Sequence, residues 1–213
     1  MDYLQQLIDR YPSLSPIIMD INSAFEIIKD SYKNNGKLLI AGNGGSASDA
    51  EHITGELMKS FIKKRNLPDS FITNIKNVDS EISDYLLSRL QPGLPAIALC
   101  GHSSLNTACI NDIDGNITFA QQVYGYGKEG DVFFGISTSG NSKNILYAAA
   151  VAKAKKLKVI GLTGENGGKL KQFSDVCICV PETETYKIQE LHLPVYHTLC
   201  MMIENYFFNG DFF

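Results

Sequence analysis

Five short apolar runs alternate with stretches of helical spacing along most of the chain. The runs are KLLIA at 37–41, LPAIALC at 94–100, DVFFGIS at 131–137, LKVIGLTG at 157–164 and SDVCICV at 174–180. Each is nearly continuous in apolar residues, as a strand buried on both faces must be. Between them the period changes. Residues 17–34 place Ile17, Ile21, Phe25 and Ile28 on one face and stop at Asn34-Asn35-Gly36, which predicts a helix. Further helices are predicted over about 47–60, 103–111, 114–126, 142–157 and 183–208, with a short one between the last two strands. Strands alternating with helices predict an α/β fold, a doubly wound parallel sheet with helices on both faces.

Residues 66–93 interrupt this rhythm with Pro68, Asn74, Asn77, Pro92 and Gly93. Asp79 or Ser80 can cap a short amphipathic helix there, with Ile82, Tyr85, Leu86 and Leu90 on one side. The expected organisation is one domain over 1–213, with N-terminal helices in 1–36 and an inserted excursion at 66–93. Pro194 falls inside the last predicted helix. It removes one backbone bond, costs about 3 kcal/mol and predicts a kink between Gln189 and His197.

Composition narrows the classes. The chain carries 19 basic and 23 acidic side chains, a net charge of −4, which argues against a broad nucleic-acid surface. No apolar run approaches the roughly 18 residues a membrane span needs. MDYLQQLIDRYPSL has no basic start followed by an apolar core, so no signal peptide is visible and a cytoplasmic location is expected. The cysteines Cys100, Cys109, Cys177, Cys179 and Cys200 are odd in number and sit in apolar surroundings, read as buried reduced thiols. Cys177 and Cys179 share one side of a strand, and no CxxC spacing is present. The terminal aromatics Tyr206, Phe207, Phe208, Phe212 and Phe213 read as packing on a core or a subunit interface.

Candidate chemistry lies in strand-to-helix turns and two helices. The turn 135–142 (GISTSGNS) follows a strand and opens a helix, so its hydroxyls and free N–H groups predict an anion cradle. It lacks P-loop spacing, which argues against a nucleoside triphosphatase. The turn 42–46 (GNGGS) is a second site of the same kind, without the full dinucleotide fingerprint. His52 and Glu56 follow at helical i, i+4 spacing, suited either to metal ligation or to acid/base work. They do not form HExxH. Near the C-terminus stand Gln189, His192 and His197; helical spacing pairs Gln189 more naturally with His192, and spacing alone does not decide between the two histidines. His102 reads as a loop residue or cap.

The segments AGNGGSASDAEH, GISTSGNS, VIGLTGENGGKL and IQELH resemble the phosphoheptose isomerases of the sugar-isomerase (SIS) superfamily. The resemblance spans roughly 37–65 and 94–208. It implies an SIS three-layer sandwich around a five-stranded parallel sheet and a homotetramer with sites between subunits. It implies conversion of sedoheptulose 7-phosphate to a glycero-manno-heptose 7-phosphate through an enediol. Aligned by motif, His52, Glu56, Gln189 and His197 match the family's zinc ligands, and Glu56 and His197 its acid/base catalysts. The resemblance therefore favours His197 over His192. Asn43, Gly44, Gly45, Ser46, Glu56, Asn111, Asp112, Ser137, Thr138, Ser139, Ser142 and Gln189 match its substrate contacts. The sequence departs from the enterobacterial pattern in the 66–93 insertion, in Tyr186 and in Pro194. A non-catalytic relative, which binds the replication initiator, is the competing expectation. Such relatives lose parts of the His/Glu set that this chain keeps whole.

Overall fold

The computed structural model describes residues 2–208. Five parallel strands form one sheet: β1 (Leu38–Ala41), β2 (Ala96–Ala98), β3 (Val132–Ile136), β4 (Lys158–Thr163) and β5 (Val176–Cys179), in the spatial order β2-β1-β3-β4-β5. Each predicted strand is present, trimmed at its ends. The helices are α1 (Tyr3–Arg10), α2 (Ile18–Lys33), α3 (Gly45–Met58), α4 (Asp69–Lys76), α5 (Ser80–Leu87), α6 (Ser103–Asp112), α7 (Thr118–Tyr126), α8 (Lys143–Ala154), α9 (Leu170–Phe173) and α10 (Thr185–Phe207).

Alternate residues of each strand feed two separate cores, because successive side chains leave opposite faces of a sheet. Leu38, Ile40, Val132, Phe134, Ile160 and Ile178 pack with α1, α2, α3 and α10. Leu39, Phe133 and Val159 pack with α7, α8 and α9. That is the three-layer α/β sandwich expected from the alternation.

Some details differ from the expected elements. The second strand is shorter than its apolar run, and Leu99–Gly101 turns as a 3₁₀ segment. Its carbonyls are taken by side chains instead of a ladder: Asn106 Nδ2 donates to Cys100 O at 3.0 Å and Gln122 Nε2 to Leu99 O at 2.9 Å. The excursion holds two helices where one was expected. Asp79 caps α5, its carboxylate accepting Ile82 N at 2.9 Å, but α4 has no side-chain cap and no buried residue to announce it. The last helix runs unbroken through Pro194, which is itself buried. The cysteines are all free, but only Cys109 and Cys200 are buried; Cys100, Cys177 and Cys179 are half-buried.

Behind α3 the chain is clamped by a buried ion pair. Glu204 on α10 accepts N–H groups from Phe61, Ile62 and Lys63 and the Arg65 guanidinium at 2.9 Å. Arg65 in turn donates to Leu57 O at 2.7 Å and Glu56 O at 2.8 Å, fixing the last turn of α3. Tyr206 and Phe207 pack edge-on against Phe25 and Tyr32 of α2, as the aromatic run suggested; Phe212 and Phe213 lie outside the described residues. No helix among the described residues is long and apolar enough to cross a membrane.

Candidate active site

The two glycine- and serine-rich turns leave adjacent strands. β1 and β3 pair through Ala41 and Gly135, and β1 is flanked by β2 on its other side. Winding therefore reverses at this point of the sheet, where open α/β folds carry their ligands. The turns are tied to each other by reciprocal amide bonds: Asn43 Nδ2 donates to Asn144 Oδ1 at 3.0 Å, and Asn144 Nδ2 to Asn43 Oδ1 at 2.8 Å.

In the second turn, Ser137 Oγ and Ser142 Oγ are 3.1 Å apart. Ser142 occupies the cap position of α8 without bonding a helix N–H through its side chain, so hydroxyls and first-turn N–H groups are free for an anion. Ser137 is buried, Thr138 and Ser142 are half-buried, and Ser139 is exposed. In the first turn, Gly44 has φ +55°, a conformation that favours glycine. Gly45 answers to a distant neighbour, since a Cβ there would lie 2.6 Å from Gln189 Nε2. Gln189 is thus seated over the start of α3.

Further along, α3 and α10 bring the ionisable groups together. Gly45, Asp49, His52 and Glu56 are spaced by four, three and four, so they share one face of α3. His52 Nε2 lies 3.2 Å from Glu56 Oε1 and 3.5 Å from His197 Nε2. On the other side of the ring, His52 Nδ1 lies 3.0 Å from the Tyr196 hydroxyl, which donates to Asp49 Oδ1 at 3.2 Å. The chain Nδ1–H to Tyr196 to Asp49 leaves the His52 Nε2 lone pair facing the cluster. Lys59 holds the other Glu56 oxygen at 3.1 Å.

Burial, and then the facing His52 ring, push the His197 pKa down, and Glu56 opposes this. Asp49 is pushed up by burial, and the Tyr196 bond opposes this. His192 is fully buried, and burial lowers it to about 4 while the Thr163 backbone opposes this; neither ring nitrogen has a hydrogen-bond partner. The structure therefore brings His197 to His52 and leaves His192 in the core.

The donor set suits a cation. With Nδ1–H committed to Tyr196, two imidazole Nε2 atoms and a carboxylate oxygen converge, and a proton or a metal ion must reconcile their lone pairs. A tetrahedral Zn²⁺ with bonds of about 2.0–2.1 Å has ligand–ligand edges of about 3.3–3.4 Å. The separations of 3.2 and 3.5 Å bracket that edge. Among the described residues, however, no three His, Cys, Asp or Glu side chains are placed to hold a metal ion as they stand.

Not every matched position joins this group. Asn111 and Asp112 are exposed at the end of α6 and bond each other at 2.8 Å. A cleft of about 260 Å³ does run from Asn43 and Gly44 to Asn106 and Ile110 on α6. His197 also borders a cleft of about 460 Å³ against Gln6 and Arg10 of α1. His102 is structural, with Nδ1 2.8 Å from Gln122 Oε1. Asp49, Tyr196, Asn144 and Lys59 were missed in the sequence. Only the one-sided spacing of Asp49 and His52 on α3 could have pointed to any of them.

Two glycine- and serine-rich turns at the switch point of a parallel sheet, with a His/Glu/His cluster on the adjoining helices, are the features of a ligand-binding α/β protein. Comparison with known proteins agrees. The SIS domain family pattern matches residues 2–86 and 85–164. Phosphoheptose isomerase 2 of Campylobacter jejuni is 42% identical over 90% of this chain and 82% of its own length. The phosphoheptose isomerase of Aneurinibacillus thermoaerophilus is 40% identical over 85% and 78%. The solved phosphoheptose isomerase of Francisella tularensis superposes with TM-score 0.75 at 32% identity, covering 95% of each chain. The chain belongs to the SIS domain family and, within it, to the phosphoheptose isomerases.

Proposed function

We propose that this chain interconverts sedoheptulose 7-phosphate and a glycero-manno-heptose 7-phosphate. The observation that carries the reading is the convergence of His52, Glu56 and His197 beside the two strand-end turns. The phosphate sits on Ser137, Thr138, Ser139 and Ser142 at the start of α8, and Asn43, Gly44, Gly45 and Ser46 hold the sugar end. Aldose–ketose exchange moves a proton between adjacent carbons through an enediol. Glu56 removes that proton, and His197 exchanges one with the neighbouring oxygen. His52, oriented by Tyr196, keeps Glu56 in place.

Were zinc to bind, His52, Glu56, Gln189 and His197 would be the side chains to hold it, and Glu56 and His197 would act as acid and base only when released from it. When bound it supplies positive charge for the oxygens of the reacting carbons. Asn111 and Asp112 are exposed at the end of α6 and bond each other. Their match to substrate contacts supports a site completed by a second subunit of a homotetramer. Each chain acts as one SIS domain with 66–93 as an appendage.

The test is turnover of sedoheptulose 7-phosphate against pentose and hexose phosphates, with and without added Zn²⁺. Glu56→Gln and His197→Ala should each abolish it while the oligomer stays intact. Full turnover in both variants would overturn the assignment.

A further inference from the structure

Cys177 and Cys179 lie on β5, an edge strand, and both leave its face toward α9. Their sulfurs are 3.6 Å apart, the one thiol pair in contact among the described residues. Thr163 Oγ1 stands 3.7 Å from Cys177 Sγ and 3.5 Å from Cys179 Sγ. Both cysteines are half-buried, so solvent reaches the pair from one side. Cys179 is lowered to about 6, first by its hydrogen bond with Cys177 and also by Thr163 and Lys171, while Cys177 rises. One thiolate is thus available near neutral pH.

The separation suits one bridging atom. Two bonds of about 2.3 Å, a thiolate–metal length, span 3.6 Å at an angle of roughly 100°. That is below tetrahedral, as a three-coordinate centre with a lone pair adopts. The pair also backs the phosphate turn. Cys179 Sγ lies 3.1 Å from where a Gly167 Cβ would stand. Gly167 belongs to the loop that follows β4. This loop is fastened to the cradle through Gly164 N to Thr138 O at 2.9 Å, Leu170 N to Gly140 O at 2.9 Å and Lys169 N to Asn141 Oδ1 at 3.1 Å.

We propose that Cys177 and Cys179 form a chelating dithiol site for a trivalent arsenic-type metalloid, and that its occupancy displaces the loop behind the phosphate cradle. An arsenoxide R–As=O reacts with the two thiols to give R–As bonded to both sulfurs plus one water. Two As–S bonds replace the As=O bond, the two thiol protons leave with the oxygen, and arsenic stays trivalent. Capture stands by itself; the effect on the cradle rests on the phosphate assignment above.

The experiment treats the full chain and its Cys177→Ser and Cys179→Ser variants with phenylarsine oxide. Intact mass should show one adduct, less one water, on the parent protein and none on either variant. The KM for the sugar phosphate should rise several-fold in the treated parent only, and a small 1,2-dithiol should restore it. No adduct on the parent, or an equal adduct on a folded single variant, overturns the site. An adduct with unchanged KM overturns the coupling. Loss of the functional reading would show separately, as no turnover in the untreated parent.

Discussion

Single side chains decide the proton inventory of the cluster. Tyr196 sets the His52 tautomer by accepting Nδ1–H while donating to Asp49. Such orienting partners are worth roughly 10–100-fold in metal affinity or activity. Tyr196→Phe should therefore lower kcat by about that factor at nearly unchanged melting temperature; an unaltered kcat would refute the role. His192 makes a separate prediction about stability. Its folded pKa, about 4, lies below the unfolded value of 6.5. Between those values the unfolded chain binds more protons, so stability is complete above pH 6.5 and falls as pH drops toward 4. The full loss is on the order of 3 kcal/mol. Urea unfolding across this range should show the acid slope, reduced in His192→Leu. An equal slope in that variant would assign it elsewhere.

These residues differ in how far the sequence exposed them. His52 and Glu56 are visible as an i, i+4 pair because a helix fixes their relation locally. His197 and His192 are both on α10, and periodicity preferred His192 as the partner of Gln189. The choice turned on which face of α10 meets α3, which is a tertiary contact. Family resemblance pointed to His197, and the structure places that ring against His52.

Elements carry the site through their packing. The segment after α3 is held by Glu204 and Arg65, both essentially without exposure, and Arg65 bonds the Glu56 carbonyl. Breaking one partner of such a buried pair leaves an uncompensated charge, at a cost of about 3–5 kcal/mol. Glu204→Gln should show that loss in urea unfolding. Lys59→Ala, at the exposed pair with Glu56, should change stability by less than about 1 kcal/mol. Equal effects would contradict the clamp. Strand existence was legible because each run is nearly continuous in apolar residues. The early end of β2 was not, since the carbonyls just after it go to the side chains of Asn106 on α6 and Gln122 on α7. Helix α4 escaped notice because it buries none of its residues.

At the scale of the whole molecule, large apolar side chains remain uncovered: Met19 is 71% exposed, Val78 83% and Tyr85 62%. The proposed homotetramer predicts a particle of four 23.5 kDa chains in sedimentation equilibrium. A monomer at assay concentration with full turnover would contradict a site shared between subunits. Asp substitutions at Val78 and Tyr85 test whether the excursion takes part in assembly.

By itself the sequence determined the alternation of strands and helices, the two glycine- and serine-rich turns and the His52–Glu56 pair, because each depends on residues close in the chain. Local spacing is enough to specify which side chains share a strand face or a helix face. Tertiary structure decided the rest. It set His197 against His52 and buried His192, seated Gln189 over Gly45, linked Tyr196 to Asp49, and joined Asn43 to Asn144 across 101 positions. Those relations depend on how α10 packs on α3 and how β1 pairs with β3, and no local period encodes them.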